Sequence, residues 1–178
     1  MLNEHKTDGV HATGEKHRIL DAFDRKILGE LTEDAGISYA ELGRKVGLSA
    51  PAIHDRVKKL RASGCLRKTA ALLDGAALGK PLLAFVHVQT VGWGATKELL
   101  QIADLPEVEE IHSVTGDTSI LVKVRCASSG ALESFLERLH DTQSVKSTNS
   151  YIVLSTYVER PVQATITAFA EINRVDRI

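Results

Sequence analysis

Residues 38–64 read SYAELGRKVGLSAPAIHDRVKKLRASG, and their spacing describes two short helices meeting at a tight turn. Ser38 and Glu41 stand three apart, the capping-box pattern that satisfies free N–H groups where a helix starts. Ile37 before the cap and Leu42 within the helix have hydrophobic-staple spacing. Gly47 can leave that helix with φ > 0. Ser49 then starts a second helix at once, with Leu48 and Ile53 repeating the staple. Pro51 is harmless in a first turn, where its missing N–H would have no intrahelical partner. Caps, turn and staples in register describe a helix-turn-helix.

Within the second helix Ile53, Val57 and Leu60 recur at i, i+4 and i+7 and must face inward. Pro51, His54, Asp55, Lys58 and Arg61 lie roughly opposite, with Arg56 and Lys59 on the flanks. On an isolated helix such a face is usually just solvated. After a capped helix and a short turn it suits a duplex, with cations on phosphates and the N-terminal residues in the major groove. The expected contacts with double-stranded DNA are Ser49, Pro51, His54, Arg56, Lys58 and Lys59. Ser49 and Arg56 are read as phosphate anchors and His54 as the base reader.

Charge is distributed accordingly. The net charge is −1, which excludes a generally polybasic nucleic-acid binder. Residues 18–69 hold 11 Lys and Arg against 7 Asp and Glu, a net of +4, whereas 70–178 hold 9 against 13, a net of −4. Basic character is confined to the reading head. Four net charges are few for tight binding, which predicts at least two heads per site.

The 178 residues allow two small domains. Residues 1–17 are polar and aperiodic, read as a disordered tail, and lack the apolar run of a signal peptide. No later segment is long enough to span a membrane, so the cytoplasm is the expected compartment. His5, His11 and His17 are not spaced like metal ligands. Cys65 and Cys126 sit among apolar neighbours and are expected to be reduced, buried thiols.

The head, 18–74, opens with a helix near Asp21 that carries Asp24 in its first turn and Phe23, Ile27, Leu28 and Leu31 as its inner stripe. After Gly64, residues 66–74 read as a short wing, where Arg67 and Lys68 either touch a phosphate or are solvated. Residues 75–81 are a turn-rich hinge holding the domain boundary. Beyond it the period changes. Strands are expected at 82–90, 108–114, 120–126 and 147–157, the middle two joined as a hairpin through the turn from Thr115 to Thr118. A short helix at 96–103 carries Leu99, Leu100 and Ala103; a second, capped by Ser128 or Ser129, carries Leu132, Phe135, Leu136 and Leu139. The expected class is α+β: a winged helix-turn-helix, then a ferredoxin-like β-α-β-β-α-β domain over 82–160.

Both faces of several of these strands are apolar: Ala84, Val86 and Val88 against Phe85, and Ile152 and Leu154 against Tyr151 and Val153. Two helices cover one face only. A second sheet from an identical chain is the simplest cover for the other, with about 800 Å² per partner making an ordinary interface. A homodimer also delivers two heads to a pseudo-palindromic site. Pro161 stops the last strand, and Val162, Ile166, Phe169 and Ile172 suggest a helix in the extension 161–178.

The segments LDAFDRKILGEL (20–31), ISYAELGRKVGLS (37–49), RVKKL (56–60), LLDGAALG (72–79) and VTGDTSILVKV (114–124) resemble the leucine-responsive regulator/AsnC family of transcription regulators. The resemblance covers nearly all of the chain between the two extensions. It implies homodimers joined through the sheets, often assembled to octamers, and an amino acid or related metabolite bound in the second domain near the loop matching Thr115–Thr118. It also implies control of genes of amino-acid metabolism and transport, and commonly of the regulator's own gene. The family loop usually runs Gly-x-x-Asp-Tyr-x-Leu-x-Val, whereas Ser119 and Ile120 stand here for the acidic–aromatic pair. An amino acid needs acceptors for its ammonium and donors for its carboxylate. Thr115, Gly116, Asp117, Thr118 and Ser119, with Asn149 and Ser155 of the last strand, are the expected effector residues, although a hairpin Asp is as often a turn former. Lys68 and Thr69 replace a frequent Gly-Tyr in the wing.

His87 and His112 are strand residues without a ligand pattern around them, read as ordinary strand histidines. Trp93, between Gly92 and Gly94, is read as a packing plug. There is no nucleophile elbow, P-loop or zinc-protease motif, so no catalytic residue, metal or cofactor is expected. Two alternatives stay open: a ligand-independent architectural DNA-binding protein, and an enzyme like the sirohaem decarboxylases that share this layout. The latter needs a cationic pocket, which the acidic second segment disfavours.

Overall fold

The computed structural model describes residues 19–92 and 95–165. The expected N-terminal tail and the Trp93 plug lie outside the described residues. So does the expected C-terminal helix beyond 165; residues 161–165 are not helical. Two compact units divide the chain: one runs to Ala71 and takes in the stretch from Arg160, the other is Leu72–Glu159.

The first unit contains α1 (Ala22–Glu33), α2 (Tyr39–Val46) and α3 (Ala50–Ala62). Local chemistry sets each boundary. Asp21 caps α1 by accepting from the Asp24 N–H at 2.8 Å, Ser38 caps α2 through the Glu41 N–H, and Ser49 caps α3 through the Ala52 N–H. Gly47 ends α2 at φ 81°, the left-handed region that favours glycine. Ile27, Ile37, Leu42, Val46, Ile53, Val57 and Leu60 form one buried core. Phe23, expected on the inner stripe, remains 39% exposed.

The second unit contains β1 (Leu82–Thr90), a 3-10 helix (Leu99–Asp104), β2 (Val108–Ser113), β3 (Ile120–Cys126), α4 (Ser129–His140) and β4 (Val145–Ile152). The strand order is β2-β3-β1-β4, with every pairing antiparallel. Ala84, Val86, Val88, Ile120, Val122 and Val124 face Leu99, Ile102, Leu132, Phe135 and Leu139, so both helical elements cover one sheet face. The opposite face presents Phe85, His87, Leu121 and Tyr151, with Phe85 opposite Lys123 on one side and Tyr151 on the other.

Five local expectations change. The expected α-helix at 96–103 is a 3-10 turn, squeezed between Thr96, whose Oγ1 accepts from the Leu99 N–H, and Pro106. β4 ends at Ile152 rather than 157 because β1 begins at Leu82; after the Val153 N–H reaches the Leu83 carbonyl, no partner strand remains. The expected wing is not a strand: 66–73 contain none and pair with no strand among the described residues. The segment expected as a hinge is a hydrogen-bonded turn within the second unit. Asp74 Oδ1 accepts from the Ala76 and Ala77 N–H groups, and Lys80 Nζ donates to the Pro106 carbonyl at 2.6 Å. Cys126 is buried, and burial pushes its thiol up, but Cys65 is exposed rather than buried.

Candidate functional site

Ile53, Val57 and Leu60 are at most 1% exposed, and their burial fixes which way α3 faces. Pro51, His54, Asp55 and Lys58, spaced i, i+3, i+4 and i+7, form the outer stripe, all exposed, with Lys59 and Arg61 beside them. Among the described residues Lys58, Lys59 and Arg61 form no ion pair. Ser49 lies at the exposed start of the same helix, its oxygen accepting from the Ala52 N–H at 3.4 Å. The Tyr39 ring of α2 meets the His54 ring edge-on, centroids 5.9 Å apart.

Arg56, read from the sequence as a phosphate anchor, is engaged within the unit. Its Nη1 donates to Asp21 Oδ2 at 2.7 Å and to Asp24 Oδ1 at 2.8 Å, and the guanidinium lies 5.4 Å from the Phe23 ring centroid. The residue read as a phosphate anchor thus ties α3 to the start of α1. On the helical wheel Arg56 adjoins buried Ile53 and Leu60, and α1 brings two carboxylates to that side. The Asp24 N–H, and then Arg56, hold the Asp21 carboxyl below its usual value. Lys45 of α2 is similarly engaged, with Glu30 at 2.6 Å. The acidic pair Asp21 and Asp24, one turn apart, was the sequence signal for this tie.

On the open sheet face of the second unit, a groove of about 670 Å³ runs from the β2–β3 turn to β4. Of the expected effector residues, Thr115, Asp117, Thr118 and Asn149 line it, whereas Gly116, Ser119 and Ser155 do not. The Thr118 hydroxyl is engaged with the Val88 carbonyl at 2.9 Å, and the Ser119 N–H donates to the same carbonyl at 3.2 Å. Both residues therefore hold the turn against β1. Sequence reading missed His87, Gln89, Leu121 and Tyr151, which also line it, as do Val114, Ser147 and Thr148. The alternation in β1 was the available signal, since burial of Ala84, Val86 and Val88 turns His87 and Gln89 to the other face. The His87 and Tyr151 rings lie 4.9 Å apart. Gln89 spans the groove, donating to the Asp117 carbonyl at 2.8 Å and accepting from Ser147 Oγ at 3.2 Å. None of the described residues that line the groove is a Lys or Arg.

Elsewhere on that face Lys123 and Arg125 are surrounded by Glu109, Glu110 and Glu159. His112 first, and then Lys123 against the opposing effect of burial, holds the Glu110 carboxyl below its usual value. Among the described residues there is no group of three or more side chains able to hold a metal, and no helix long and apolar enough to cross a membrane.

Residues 20–61 match the AsnC-type helix-turn-helix domain, and residues 83–163 match the Lrp/AsnC ligand binding domain. The HTH-type transcriptional regulator FL11 of Pyrococcus horikoshii is 35% identical over 140 residues, covering 79% of this chain and 93% of that protein. The leucine-responsive regulatory protein of Escherichia coli is 36% identical over 140 residues, covering 76% of this chain and 85% of that protein. Among solved structures, Escherichia coli AsnC superposes with a TM-score of 0.72 at 29% identity, covering 82% and 99% of the two chains. A transcriptional regulator of Neisseria meningitidis, in complex with L-Met, superposes with a TM-score of 0.75 at 28% identity, covering 80% and 94%. Both halves of the chain thus match, in order and over nearly the full length of these relatives, and the protein belongs to the Lrp/AsnC family of helix-turn-helix transcriptional regulators.

Proposed function

We propose that the protein is a cytoplasmic regulator whose α3 enters the major groove and whose sheet groove binds an amino acid or related metabolite. One observation carries the first half: among the described residues Lys58, Lys59 and Arg61 on the outer side of α3 form no ion pair, while Arg56 and Lys45 are tied down inside the unit. Pro51 and His54 then approach base edges, Lys58 and Lys59 meet phosphates, and the Ser49 O–H is left to donate to a phosphate. Arg56 supports them by fixing α3 on α1. The second half rests on the groove's chemistry. Asp117 and Asn149 offer acceptors to an ammonium, Asn149 and Thr115 offer donors to a carboxylate, and Leu121 with Tyr151 gives an apolar wall. The L-Met complex of the Neisseria relative supports an amino acid as the ligand class. The open sheet face pairs two chains into a homodimer that builds towards an octamer, and the targets are genes of amino-acid metabolism or transport and the protein's own gene.

The test is fluorescence anisotropy on duplex DNA from upstream of the protein's own gene, against a scrambled duplex, with each amino acid added singly. Preference for the upstream duplex that shifts with one amino acid is the expected result. Preference that no amino acid moves removes the effector half and leaves an architectural protein. Equal, weak binding to both duplexes overturns the docking of α3.

A further inference from the structure

Asp55 is the single acid on α3, and the proposed docking stripe runs through it. Its side chain is 74% exposed and lies 3.6 Å from His54 Nδ1, itself on an exposed ring. Lys58 and Lys59 stand one helical turn further on. Among the described residues neither pairs with the carboxylate, whose one partner is the His54 ring. A carboxylate facing phosphates is repelled, and Asp is a poorer helix former than Ala or Glu. Such a residue lowers affinity for DNA in general, so its use lies in discrimination between sites.

The chemistry of the carboxylate narrows what it discriminates. An ionised carboxylate only accepts hydrogen bonds. In the major groove guanine presents N7 and O6 and thymine presents O4, all acceptors that repel it. Adenine sets an N7 acceptor beside its N6 amine, whereas cytosine presents its N4 amine alone. We infer that Asp55 is a specificity residue that accepts from the cytosine N4 amine in each half-site. His54, braced edge-on by Tyr39, lies against the neighbouring base. This assignment rests on α3 as the reading helix, and the test separates the two.

The experiment is selection of binding sites from randomised duplexes by the full chain and its Asp55→Ala, Asp55→Asn and Lys58→Ala variants. Affinities for the selected and a random duplex are then measured at one salt concentration. Wild type selects cytosine at one position per half-site. Asp55→Ala loses that preference, about tenfold in discrimination, while binding random duplex at least as tightly, because a repelling charge is gone. Asp55→Asn moves the preference to adenine, since an amide accepts from N6 and donates to N7 together. Asp55 is outside the core, so each variant melts like wild type. Lys58→Ala weakens binding to both duplexes alike. If it does so while Asp55→Ala still selects cytosine, the assignment of Asp55 falls and α3 remains the reading helix. If Lys58→Ala and Asp55→Ala both leave binding and selection unchanged, α3 itself is misassigned.

Discussion

A guanidinium within 2.8 Å of two carboxylates has its charge already answered, and Arg56 is in that position. Its substitution therefore acts on the fold before it acts on DNA. Arg56→Ala is expected to lower the melting temperature by about 4–8 °C, the scale of one lost charged contact in a small domain. The salt dependence of DNA binding should stay as it was, whereas a lost phosphate contact flattens log K against log salt by about 0.9. A flattened slope with unchanged melting would return Arg56 to the phosphates. The same contact has a pH signature. Asp21 has a folded pKa held below 3.8 by the Asp24 N–H and by Arg56, so the unfolded chain takes up its proton first. Its contribution is complete above about pH 4 and is lost as pH falls through the folded value. Asp21→Asn should remove that part of the acid loss. None of this was legible from α3 alone. The outward direction of His54 and Lys58 follows from where Ile53, Val57 and Leu60 must go, but a flank position such as 56 is decided by the neighbouring helix.

Elements whose ends are set by adjacent residues were the legible ones. Ser38, Gly47 and Ser49 carry the boundaries of α2 and α3 in their own side chains or in the want of one, and the structure places those boundaries accordingly. Elements whose extent depends on distant partners were not. β4 stops where β1 stops offering groups, and among the described residues the segment read as a wing has no strand to pair with. The turn between α2 and α3 also hides a requirement that spacing does not reveal. A Cβ on Gly43 would lie 2.5 Å from the Leu48 carbonyl oxygen, a backbone atom held by the turn itself. Gly43→Ala should therefore destabilise the first unit by about 1–3 kcal/mol, as overpacking does. Gly47→Ala meets open space and is charged only for its left-handed backbone, about 1 kcal/mol. Urea unfolding that ranks Gly47→Ala as the costlier change would show that the turn yields.

For the whole molecule the question is what covers the sheet face that the helices leave open. Phe85 is half-buried at its centre, between Lys123 of β3 and Tyr151 of β4, and Tyr151 is 56% exposed. One head has too little charge to hold DNA tightly, so the open face and the weak head call for the same remedy, a second copy. Two linked heads bind the two halves of one site with a gain of about 10²–10⁴ over a single head. Phe85→Asp sets a carboxylate at the centre of the proposed interface; Phe85 belongs to the second unit and does not itself line the groove, although it sits opposite Tyr151, which does. Sedimentation is then expected to find monomers where wild type is dimeric or larger. Affinity for an isolated half-site should hold, while affinity for the full site falls towards the half-site value. Dimers that persist with full-site affinity intact would move the interface off this face. Monomers that keep full-site affinity would mean that pairing of the sheets and pairing of the heads are separate events, with the second made on the DNA.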